Sequence, residues 1–153
     1  MSAASALFAF LHHAAAFTLV AALVGERVLT KDQVTLVDAR RILDLDRVFG
    51  IAAGVVFVVG MVRVAFFEKG ATYYWHNAPF IAKLSLFAIV GLLSIYPTRT
   101  FLSWRTALKK GEAPAASDDR MRTIRLILRL EFAGVILIIL CAALMARGIG
   151  TFG

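Results

Sequence analysis

The chain has 153 residues, 60% of them apolar, and a mean hydropathy of +0.80. A soluble domain of this size needs a polar surface that such a composition does not supply, so a soluble enzyme or binding module is excluded. The net charge of +7 does not mark a nucleic-acid partner either, because the basic residues fall between and at the ends of four apolar stretches rather than on one soluble face. These stretches and their connections use up the chain, which predicts one transmembrane domain over residues 1–153. The expected fold is all-α, a four-helix transmembrane bundle with the lipid bilayer as its surroundings.

The first span is predicted at about residues 3–29. Residues 1–11 lack a basic n-region and the apolar run from Ala3 to Gly25 outlasts a cleavable signal, so this helix is expected to be retained. On a helical wheel His12 shares a face with Ala15, Ala16, Leu19 and Glu26, whereas His13 points with Phe10, Phe17, Val20 and Val24 toward lipid. His12 is therefore expected inside the bundle. The second span, about 48–67, carries Arg63. It also has a stripe of small residues (Gly50, Ala53, Gly54, Gly60) with Phe57, read as a helix-packing face.

The third span, about 79–104, opens with Pro79 at a first-turn position and is expected to kink at Pro97. Lys83 aligns there with Phe87, Val90 and Ser94, and with His76 if the helix extends one turn upstream. The fourth span, about 122–147, begins as a basic amphipathic stretch and turns apolar from Phe132 to Ala146. Its lone Cys141 reads as a small buried hydrophobe. Met145 and Cys141 share the face of Glu131, Gly134 and Ala142.

Loop charge predicts the orientation. The first connection holds Arg27, Lys31, Arg40, Arg41 and Arg47, and the third holds Arg99, Arg105, Lys109, Lys110, Arg120, Arg122, Arg125 and Arg129. The second holds only Arg63 and Lys69. The positive-inside rule places the first and third connections in the cytoplasm and both termini outside, with the segment 68–78. Tyr73, Tyr74 and Trp75 then read as outer interfacial anchors and Trp104 as an inner one.

Depth supplies the functional clue. Counted from Glu26, Arg47 and Arg99 at about 1.5 Å per residue, His12, Arg63 and Lys83 rise roughly 21–24 Å, and Met145 reaches roughly the same level counted from Arg129. That is the outer third of a hydrocarbon core roughly 30 Å thick, where ionisable side chains are costly and mark a site facing the bundle interior. Imidazole and thioether are axial ligands of haem iron, and Arg or Lys can pair with propionates. His12 with Met145 or His76 as ligands, and Arg63 with Lys83 as propionate partners, therefore outline a haem b pocket. The same His12 and Met145 could hold copper(I), or the polar residues could be structural, with the cations snorkelling to headgroups. At the cytoplasmic ends Glu26, Arg99, Arg129 and Glu131 read as structural ion pairs, with a proton path as the alternative reading.

With these residues laid out, the chain resembles a bacterial family of predicted membrane proteins known as a domain of unknown function, the 2214 family. LHHAAAF at 11–17, FEKGATYYWHN at 67–77, AKLSLFAIVGLLSIYPTRTFLSWR at 82–105 and ALMARGIG at 143–150 carry the resemblance. More remotely, a first-helix histidine, a basic cytoplasmic loop and a KLxL opening to the third helix are similar to CopD-like copper-resistance proteins and membrane protoporphyrinogen oxidases. The oxidase resemblance implies haem b and functional roles for His12 (or His13) and Lys83. After KLSL the sequence IYPTRTFLSWR departs from the tyrosine–histidine segment of that family, so the pocket carries over and porphyrinogen oxidation does not. The expectation is a haem-b-binding redox protein of the bacterial inner membrane, served by a membrane electron donor or acceptor. The alternatives are copper or small-solute transport through the same pocket, or an accessory subunit of a larger membrane complex.

Overall fold

The computed structural model describes residues 3–67 and 76–150. Tyr73, Tyr74 and Trp75, read above as anchors, lie outside the described residues. Four helices long and apolar enough to cross a membrane account for most of the chain. They are α1 (Ala3–Leu29), α2 (Leu36–Phe66), α3 (Ala78–Ser103) and α5 (Asp118–Ala146), with a short helix α4 (Arg105–Lys109) between the last two.

The helix ends follow local chemistry. Before α2, Thr35 and Asp38 form a capping box in which the Thr35 hydroxyl accepts from the Asp38 N–H and the Asp38 carboxylate accepts from the Thr35 N–H. Such a cap contributes about 0.5–2 kcal/mol, and it starts the helix well before the apolar run at Val48 that hydropathy detects. The added turns are not a loop: Ala39, Ile42, Asp46 and Phe49 recur at helical spacing and are buried. At α3 the side chain of Asn77 accepts from the Phe80 N–H at 3.0 Å, and Pro79 follows in the first turn. Asn77 is therefore the N-cap of α3 and is fully buried. α3 runs through buried Pro97 without interruption.

Each helix packs on two neighbours in chain order around the bundle: α1 on α2, α2 on α3, α3 on α5, and α5 back on α1. The two hairpin pairs, α1 with α2 and α3 with α5, make the most extensive contacts. Close approaches mark both: a Cβ on Gly134 would lie 2.6 Å from Val90 Cγ2, and one on Gly25 would lie 2.7 Å from Leu45 Cδ1. The Leu45 tip can swing aside, whereas β-branched Val90 is stiff and buried, so Gly134 is the tighter constraint. The expected packing stripe on α2 is one only in part, with Ala53 packed against the core. Gly50 and Gly54 are exposed, and a Cβ added at either would meet no atom within 4 Å; of the stripe's glycines only Gly60 is packed, against His12.

The core is concentrated at the end of the bundle that carries the basic connections. Leu23, Ile42, Phe101, Ile124 and Leu128 are fully buried there, and Trp104 packs on Phe101 with ring centroids 5.0 Å apart. Trp104 is thus a core residue, 4% exposed, and not an interfacial anchor. Phe10, Val28, Ile51 and Leu92 are exposed on the outer faces, as lipid-facing residues are. The opposite half of the bundle, where the described ends of the chain lie, is less tightly closed, and a cleft opens between the two hairpins.

Candidate functional site

Four helices each bring one polar or soft side chain to the open half. His12 comes from α1, Arg63 from the last turn of α2, Lys83 from the second turn of α3 and Met145 from the end of α5, and all four line the same cavity. The depth argument from sequence selected these residues together, and the up-and-down topology is what makes it work: equal rise along antiparallel helices brings them to one level. Phe57 and Phe87 stack across the α2–α3 boundary at 5.8 Å and form part of the apolar wall. Beyond it the cleft widens to about 790 Å³ and descends along Val90, Ser94 and Thr98 of α3. That volume lies in the range of small-molecule and cofactor sites.

The electrostatics are one-sided. Lys83 and Arg63 both act on His12, and Arg63 acts on Lys83. Among the described residues no Asp or Glu lines the cavity. His12 is half-buried, and its Nδ1 is buried without a hydrogen-bond partner. Its ring sits against Gly60, where an added Cβ would come within 3.1 Å of Cε1, so the glycine is what leaves room for the imidazole. His13 is exposed at the rim, and its Nδ1 lies 2.6 Å from the Ala9 carbonyl oxygen. Of the two, His12 alone lines the inner cavity, but His13 borders the wider cleft with Phe17 and Val20, so the face the wheel assigns to lipid partly faces the cleft. His76, offered above as a second ligand, is exposed just before the α3 cap and does not line the cavity, which leaves Met145.

The polar residues at the basic end differ from expectation. Glu26 and Glu131 are 2% and 1% exposed, and Oε1 of each has no hydrogen-bond partner. Arg99 and Arg129 are exposed, and among the described residues neither they nor the two glutamates form an ion pair within 4.0 Å. The reason is helical phase: Arg129 and Glu131 are two residues apart, which puts them on nearly opposite faces of α5. Arg27, the neighbour of Glu26, instead lies over the Phe132 ring at 4.5 Å, and Asp46 accepts from the Thr98 hydroxyl at 2.6 Å. A glutamate at 1–2% exposure with an unpartnered carboxylate oxygen was not foreseeable from residue order, where arginines stand next to both glutamates.

A bundle of four membrane-length helices, closed by a core at one end and opening at the other into an apolar, cation-bearing cleft, defines a multi-pass membrane protein with an intramembrane cavity. The chain belongs to the predicted membrane protein family DUF2214, whose model matches residues 4–150. Neither the curated proteins nor the solved structures compared with it include a match.

Proposed function

We propose that the cleft binds an apolar ligand with anionic groups, and that this ligand is haem b serving a redox role. The observation that carries the reading is the meeting of His12, with its buried and unpartnered Nδ1, Met145 and Lys83 in one cavity without a carboxylate among its described lining residues. The residues fit the group chemically. His12 and Met145 are an imidazole and a thioether, Lys83 with Arg63 would take the propionates, and Gly60 keeps a space beside the imidazole that any Cβ would fill. Bound haem would supply a one-electron iron centre, and the chain would contribute ligation, charge neutralisation and an apolar wall.

The donor set also weighs against a bare ion. Among the described residues no three His, Cys, Asp or Glu side chains converge as ligands. Copper(I) would be left with one imidazole and one thioether, whereas a porphyrin brings its own equatorial nitrogens and needs only axial help. Transport of a small anionic solute would use the same cations and differs in having no iron chromophore.

The test is titration of the purified protein with haem. Lys83→Ala and Arg63→Ala are expected to weaken retention by about tenfold or more each, the worth of a charge-assisted contact in a partly desolvated site, with the ligation spectrum unchanged. Variants that retain haem as the wild type does would remove the propionate role.

Orientation belongs to the same reading. With the basic connections in the cytoplasm of a bacterial cell, the cleft opens at the outer side of the inner membrane. A reporter fused after Gly153 is expected to behave as external, and a cytoplasmic signal would place the cleft on the inner side.

A further inference from the structure

Below the cleft, three helices each bury one carboxylate: Glu26 on α1, Asp46 on α2 and Glu131 on α5. Glu26 interacts electrostatically with both others, and Asp46 with Glu131. Glu26 and Glu131 are among the most buried polar residues of the chain, each with Oε1 lacking any partner. The cations on the packed elements do not compensate them. Arg27 lies over Phe132, Arg125 donates to the Thr30 carbonyl at 3.2 Å, and Arg47, Arg99 and Arg129 are exposed. Arg105 of α4 reaches Asp46 alone, through space. The group is not a cation site either, since no three such side chains among the described residues are arranged to hold a metal ion.

Taking an ionised carboxylate out of water without a counter-charge is among the most costly arrangements in a protein, and several like charges in one site raise the cost further. Protons relieve it. The cluster also touches the cleft: Thr98 lines the cleft floor and its hydroxyl donates to Asp46 Oδ1. Along α3, Thr98 lies about 22 Å from Lys83, so the cleft and this hydroxyl link the cationic end to the carboxylates over most of the depth of a bilayer.

We propose that Glu26, Asp46 and Glu131 form a proton-binding station, buried in the basic-loop end of the bundle, that exchanges protons with water in the cleft through the Thr98 hydroxyl. In that exchange Thr98 Oγ1 accepts a proton from a hydronium ion in the cleft as it passes its own to the Asp46 carboxylate, which leaves a neutral water, a restored hydroxyl and a neutral carboxylic acid. The station holds whatever fills the outer cleft, so a failure of the haem reading leaves it standing.

Infrared spectroscopy of the protein in lipid vesicles tests it. At neutral pH the wild type is expected to show a protonated carboxylic acid C=O band that shifts in D₂O. Glu26→Gln and Glu131→Gln should each remove part of it, while Asp118→Asn, at an exposed position, should leave it intact. Thr98→Val should keep the band and slow its deuterium exchange. Should the glutamine variants fail to fold, dicyclohexylcarbodiimide labelling of the wild type, located by peptide mass, is expected at Glu26 or Glu131. Absence of the band, a band untouched by both glutamine variants, or labelling confined to exposed carboxylates would overturn the station. Unchanged exchange in Thr98→Val would overturn the route.

Discussion

His12→Ala is expected to abolish the Soret band of the haem-loaded protein or shift it to that of a weakly held, differently ligated haem. Among the described residues, His12 is the only imidazole packed inside the cavity; His13 stands at the rim and His76 outside it. On the haem reading, removing it would delete the proposed axial ligand, whereas loss of Lys83 or Arg63 would remove only charge pairing. The matched control is His13→Ala, which should leave the spectrum unchanged because that ring is exposed and already engaged with the Ala9 carbonyl. Gly60 gives a graded version of the same experiment. A side chain there presses on the His12 ring, so Gly60→Val should perturb ligation without touching a ligand. Equal spectra for the two histidine variants would contradict the assignment of His12.

Phe101→Ala is expected to be the most destabilising core truncation, at about 3–5 kcal/mol. Phe101 is 0% exposed and its ring packs on Trp104 where α3 passes into α4, in the core cluster that also holds Ile124 and Leu128. Helix association within a bilayer depends on packing rather than on escape from water, so the cavity left behind would be felt directly. Phe10→Ala, at a ring 67% exposed on the outer face of α1, should stay within about 0.5 kcal/mol of the wild type. Reversible unfolding in mixed micelles measures both. If the two truncations cost the same, the basic-loop end is not the closed core described above.

These expectations separate what residue order reveals from what it hides. The four spans were legible because apolar runs of membrane length admit few other readings, and the partition of His12 from His13 because a helical wheel turns adjacent residues about 100° apart. The convergence of His12, Arg63, Lys83 and Met145 was legible as a shared depth. Depth alone could not show that His76 falls outside the cavity, since that depends on where the Asn77 cap starts α3.

The early start of α2 escaped a hydropathy reading because its first turns are amphipathic and charged. Its capping signal, Thr35 with Asp38, was present in the sequence all the same. The glutamates misled for a different reason. Arginines adjacent in sequence suggest ion pairs, but the helix turns Arg129 away from Glu131 and Arg27 onto Phe132. Partner choice inside a bundle is set by side-chain direction, and sequence proximity does not report it.

The most direct test of the central claim is the optical spectrum of the wild-type protein, purified in mild detergent from cells with ample haem supply. A Soret band in near-stoichiometric amount, sharpened on reduction, is the result expected of a cleft that holds haem b through His12. A folded, four-span protein with no Soret absorption, and none gained on addition of haem, would contradict it.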